Sequence, residues 1–204
     1  MGRITAEAKV EVRNRLLATA ARHFARDGLE RTSIDAIASG AGVAKGTVYN
    51  YFRSKGDLFA EVIAEGARQA VQRYEANPAA GSTRDRLHGL AEADVQVVRE
   101  QEPFQQVVIR EALAFRPETY PLVIGHLAPF VGAVARVLDE GVAAGDVRED
   151  RPAAELALAF VGILAILYVQ HWGSGGTWPT LEEIPDLAVL LFFDGVGRRP
   201  GVQG

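Results

Sequence analysis

Residues 40–47 read GAGVAKGT. Three glycines, a lysine and a threonine in eight positions use the alphabet of a phosphate-binding loop. The order is wrong for one. In G-x-x-x-x-G-K-[ST] counted from Gly40, glycine and lysine are exchanged, since Lys45 precedes Gly46. The dinucleotide pattern G-x-G-x-x-G fails at the same lysine, and both motifs must follow a strand. Here the preceding residues, TSIDAIAS at 32–39, have helical spacing. Thr32 or Ser33 caps that helix, and Thr32 and Asp35 stand at capping-box spacing.

The alternative is a helix-turn-helix, two short helices crossing steeply at a tight turn. It needs a small residue where the helices meet (Ala38), a residue tolerant of positive φ in the turn (Gly42) and an inward branched residue on the second helix (Val48). These are spaced four and six apart. Ile37, Ala41, Val43 and Phe52 complete a small core. The second helix lies in AKGTVYNYF, and SKGD starts another, with Ser54 as cap and Asp57 at its positive end.

Charge supports a polyanion partner. Residues 1–56 hold ten Lys/Arg against five Asp/Glu, whereas the rest of the chain holds twelve against twenty-one. The whole sequence, 204 residues with a net charge of −4, is 48% hydrophobic, enough for a sizeable core. There is no cysteine, which excludes disulfides and thiolate metal sites. His23, His88, His126 and His171 lie far apart in sequence and none forms a close pair on a helix; nothing supports a metal site, and neither metal nor cofactor is expected. G-x-S-x-G and H-E-x-x-H are absent, and the chain is not expected to be an enzyme.

Helical spacing continues throughout, giving an all-α expectation. The first helix runs from about 6 to 26 and stops at Gly28. The helix begun at SKGD reaches about Tyr74. Others are expected at about 83–101, from Pro103 to near FRPE, at about 119–144, 152–171 and 181–197, the last with a Thr180–Glu183 capping box. The apolar run Leu156–Val169 spans 14 residues, short for a bilayer and suited to a core helix. With no apolar leader at the start, a cytoplasmic location is expected.

TSIDAIASGAGVAKGTVYNYFRSKGDLFAEVI closely resembles the DNA-binding segment of TetR-family transcriptional regulators. G-V-x-K-G-T-x-Y-x-Y-F followed by S-K-x-x-L carries the likeness, which is close over about residues 8–63. Further on, REALAFRPE and EGVAAGDVRED look like common stretches of the family's second domain. The resemblance implies a helix-turn-helix DNA-binding domain at 1–53 and a helical effector-binding and dimerisation domain at 54–204. It implies a ligand-responsive repressor that binds a palindromic operator as a homodimer through helices at about 152–171 and 181–197. A transcriptional activator, or an architectural DNA binder without effector, shares the same sequence features.

The recognition helix would enter the major groove by its leading end. Lys45, Gly46, Thr47, Tyr49 and Asn50 are the candidate contacts: Lys45 to guanine or phosphate, Gly46 by close backbone approach, Thr47 to phosphate or a thymine methyl, Asn50 to adenine. Tyr49 and Tyr51 lie on different faces; the resemblance assigns Tyr49 to the DNA backbone, and Tyr51 either to it or to packing. Lys55, Thr32 and Ser33, at helix starts, are candidate phosphate anchors. Where the family often has a capping serine before the lysine, this chain has Ala44. The resemblance further implies a small, apolar effector. Phe104, Val108, Phe115, Phe130, Tyr168 and Trp172 are candidate lining residues, with Arg110 or His126 as polar anchor. An acyl thioester is one option, its phosphates met by Arg99, Arg110, Arg116 or Arg136.

Overall fold

The structure is a computed structural model that describes residues 6–194, except the side chains of Gly66, Ala67, Leu122 and His126. The described residues form eight helices and no strand, so the fold is all-α. In chain order they are α1 (Ala6–Arg31), α2 (Ile34–Gly40), α3 (Lys45–Tyr49), α4 (Lys55–Ala76), α5 (Thr83–Ala114), α6 (Tyr120–Ala144), α7 (Ala153–Gly173) and α8 (Ile184–Phe193). The chain divides into two compact units, residues 1–66 with 101–126, and residues 67–100 with 127–204.

In the first unit, α1 breaks at Gly28, at φ 78° and ψ 169°, a conformation that a side chain strains. One further turn follows the break, to Arg31. Capping settles on Ser33, whose Oγ accepts from the Ala36 amide at 3.1 Å. Thr32 turns inward instead: its hydroxyl donates to the Gly28 carbonyl at 2.7 Å and its amide to the same oxygen at 3.3 Å. Gly42 takes φ 66° in the turn, and Ala38, Val48 and Phe52 are buried. Phe24 of α1 meets Phe59 of α4 edge to face, centroids 5.2 Å apart. Ser54 accepts from the Asp57 amide at 3.0 Å and so caps the start of α4.

The segments expected at 83–101 and from Pro103 form one helix, α5, bent at Gln101 (φ −138°, ψ 43°). Pro103 lies inside it, just past the bend, where a missing N–H is tolerated. In the second unit α7 packs on α8, with Phe160 edge to face on Phe192 at 5.3 Å. The last helix begins at Ile184 instead of 181, because the Glu183 carboxylate closes a preceding turn, accepting from the Thr180 amide (2.8 Å) and hydroxyl (3.1 Å). The expected end near 197 lies outside the described residues. By length and composition α7, of mean hydropathy 2.0, is apolar enough to cross a membrane, yet one of its faces packs inward through Leu156, Phe160, Leu164 and Leu167.

One polar contact stands in that core. The Tyr168 hydroxyl of α7 donates to Asp94 Oδ2 of α5 at 2.8 Å. Burial raises the Asp94 carboxyl from 3.8 to about 6, against the phenol hydrogen bond that lowers it. Burial, then the nearby carboxylate, holds the Tyr168 phenol well above its ordinary range. As the pH rises from 3.8 through about 6, the unfolded carboxyl ionises before the folded one. Stability present below that window is therefore lost across it, by roughly 3 kcal/mol. Asp94→Asn removes this loss. Its melting temperature minus that of the parent should rise by several degrees between pH 4 and pH 7.5, read by thermal denaturation; a difference independent of pH would contradict the assignment.

Candidate nucleic-acid interface and effector site

The turn at Gly42 aims the start of α3 outward. Lys45, Gly46, Tyr49 and Asn50 are exposed in a row along it, Thr47 is half-buried, and Val48 beneath them is buried. A Cβ added at Gly46 meets nothing within 4 Å, so the chain's own packing does not require glycine there. Ala44 gives α3 no side-chain cap. Asn50 is the residue that closes α3, its amide bonded to the Gly46 and Thr47 carbonyls while its side chain stays exposed. Tyr51 is half-buried beside Phe52.

Two lysines are already engaged. Lys45 Nζ donates to Asp35 Oδ2 at 2.8 Å across the helix-turn-helix, and this hydrogen bond, then the carboxylate's charge, raises the lysine's pKa. Lys55 Nζ donates to the carbonyls of Glu30 and Thr32, each at 3.1 Å. It thereby ties the start of α4 to the end of α1 and the loop before α2. Thr32 is 3% exposed, so its hydroxyl is a packing group here, whereas Ser33 is exposed. A further cation escaped the reading of the sequence: the Arg53 side chain is 94% exposed, with Asp57 3.0 Å away. Its place two residues before Lys55 was the available signal. Arg53, Arg13 and Tyr51 line a shallow hollow of about 350 Å³.

The candidate effector residues fall on both units. In the first, Phe104 and Val108 are buried. Arg110 is not an anchor turned to a chamber: its guanidinium donates to the Ala25 carbonyl at 2.8 Å and lies against Gly28. Phe115 does not line an interior, being 71% exposed, at φ 50°, beside Tyr120. In the second unit Phe130 is buried, and Tyr168 stacks on Trp172 with centroids 5.8 Å apart. His126 lies outside the described side chains. Arg99 pairs with Glu182 at 2.6 Å and Arg136 with Glu75 at 3.5 Å.

Comparison with known proteins matches residues 16–62 to the model of bacterial regulatory proteins of the tetR family, and residues 80–196 to that of the tetracyclin repressor-like C-terminal domain. The chain belongs to the tetR family. This tetR-family chain is 32% identical over 196 residues to the HTH-type transcriptional repressor KstR2 of Mycobacterium tuberculosis H37Rv, covering 92% of this chain and 94% of that one. It is 28% identical to KstR2 of Mycolicibacterium smegmatis, covering 93% and 92%. Among solved structures, the transcriptional regulator FadR of Bacillus subtilis in complex with stearoyl-CoA has the same fold, with TM-score 0.81 and 18% identity over 90% of this chain and 99% of that one. FadR of Thermus thermophilus in complex with lauroyl-CoA superposes with TM-score 0.65 and 19% identity, covering 94% and 98%. The tetR-family protein is a DNA-binding transcriptional regulator.

Asp35 competes with any phosphate for Lys45. Asp35→Asn in this tetR-family protein should strengthen binding to operator and unrelated DNA alike, several-fold at low salt. Fluorescence anisotropy with both DNAs measures it; a change confined to operator DNA would contradict the competition.

Proposed function

We propose that the protein binds a two-fold operator as a homodimer, residues 1–53 reading DNA, and leaves it when residues 54–204 bind an acyl-CoA thioester. The observation that carries the DNA reading is the exposed outer side of α3 and its cap, with Lys45, Gly46, Tyr49 and Asn50 uncovered above a buried Val48. Lys45 contacts guanine or phosphate, Thr47 a phosphate or thymine methyl, and Tyr49 the backbone. Ser33, Lys55 and Arg53 anchor phosphates on either side. For Lys55 this requires one N–H beyond the two that hold carbonyls.

Dimerisation is supported by the outer face of α7. Leu158, Ala159, Gly162, Ile166 and Val169 are all exposed and share one side at helical spacing. Leu158 is 51% and Ile166 52% exposed, and Leu190 and Leu191 of α8 are exposed too. An apolar stripe of this length on two adjacent helices suits a second copy of itself, and two-fold pairing matches two operator half-sites. The acyl-CoA reading is supported by the fold shared with the FadR proteins, whose structures hold stearoyl-CoA and lauroyl-CoA. The protein works in the cytoplasm, where DNA and thioester meet.

In this mechanism ligand and operator prefer different conformations, and each weakens the other's binding by the same factor. DNA from the protein's own upstream region should be bound tightly and released as lauroyl-CoA is titrated in, by mobility shift; unchanged operator affinity at saturating thioester would overturn the effector reading. Leu158→Glu with Ile166→Glu should elute as a monomer in light scattering and bind operator at least tenfold more weakly. A dimer of full affinity would overturn the interface.

A further inference from the structure

Three polar groups meet in the core of the second unit. Asp94 is among the buried residues of α5, with Leu90, Ala91, Val95 and Val98 buried around it in sequence. Its Oδ2 accepts from the Tyr168 hydroxyl at 2.8 Å. Tyr168 stacks on Trp172, one helical turn further along α7, with the ring planes 26° apart. The indole Nε1–H of Trp172 is buried and has no hydrogen-bond partner among the described residues. A single phenol therefore touches both a buried carboxyl and the ring whose buried donor is unpaired.

Folded proteins pair their buried donors, so an orphan in an aromatic cluster needs an explanation. A carboxyl kept from water, with a neutral phenol as partner, has the same need, and its raised proton affinity reflects it. The indole N–H requires an oxygen that accepts. Asp94, mostly ionised at neutral pH, takes a further donor. A hydroxyl group is both, whereas a keto oxygen serves only the indole and a plain alkyl chain serves neither. Sites built around buried polar groups reject analogues that leave those groups unpaired.

We propose that Asp94, Tyr168 and Trp172 form the polar end of the effector site, and that the effector's acyl portion is oxygenated, carrying a hydroxyl group that accepts from Trp172 and donates to Asp94. The proposal rests on the acyl-CoA reading of the effector. It predicts a ranking that the thioester group alone does not: hydroxylated above keto, keto above plain.

Isothermal titration of the full-length protein with lauroyl-CoA and with its hydroxyl- and keto-substituted forms, the substituent placed at successive chain carbons, tests it. The hydroxyl form with the best-placed oxygen should bind about ten- to a hundredfold more tightly than lauroyl-CoA, with the keto form between. Trp172→Phe should erase the preference for the keto form over lauroyl-CoA and reduce, without abolishing, that for the hydroxyl form, whose donation to Asp94 survives; lauroyl-CoA binding stays within a few-fold. Asp94→Asn should narrow the gap between hydroxyl and keto forms. The ligand series on the unaltered protein decides the matter even if a variant fails to fold. Equal binding of plain and all oxygenated forms would leave the indole N–H to a trapped water and overturn the proposal while sparing the acyl-CoA reading. If no thioester of any kind binds, that reading falls and the proposal with it.

Discussion

The break in α1 at Gly28 is the constraint on which the first unit depends. A helix interrupted there leaves carbonyls without their usual partners, and different elements supply them. Thr32, just before α2, takes the Gly28 oxygen twice; Arg110 of α5 takes that of Ala25; Lys55, at the start of α4, takes those of Glu30 and Thr32. Side chains from widely separated positions thus converge on a few residues of backbone. The orientation of α2, and through the Gly42 turn that of α3, follows from where α1 stops. A side chain at position 28 would be strained at φ 78° and would meet the Arg110 guanidinium 3.1 Å from its Cβ.

Much of this was readable in advance because it is local. Gly28 as a stop, Gly42 as the turn, Ala38, Val48 and Phe52 as the small core, Ser54 as a cap and the absence of a cap at Ala44 depend on residues a few positions apart. What escaped depends on distant partners. Arg110 read as a free cation suited to an effector, because the Ala25 carbonyl that holds it lies 85 positions away. Phe115 was a candidate lining residue, but it follows the end of α5 in a left-handed conformation and is exposed. Thr32 and Ser33 have the same capping chemistry, and only the position of the Gly28 carbonyl separates their roles. The join across Gln101 was hidden because a proline that opens a helix and a proline just past a bend look alike in sequence.

The second unit makes the opposite use of α7. One face is ordinary core, the other an uncovered apolar stripe, and both are rich in the same residue types, so periodicity alone could not separate them. The buried Asp94 is the exception within this apolar setting. An isolated ionisable group among valines and leucines lowers the stability of the folded chain above its pKa, and such groups persist where they are used. Its placement against Tyr168 sets it apart from a surface carboxylate of the same helix such as Glu100, which pairs with Arg73 at 2.6 Å.

The exposed Asp35–Lys45 pair has a kinetic consequence. On the proposed reading, a regulator scans a great excess of unrelated DNA before it meets its operator, and every lysine free to grip phosphate lengthens each futile stop. An acid already holding that lysine weakens its grip on operator and unrelated DNA by a similar factor, so the preference between them is kept. The pair acts as a brake on loitering: it shortens residence on the wrong sequence and so shortens the search, without altering what the recognition helix can distinguish once it arrives.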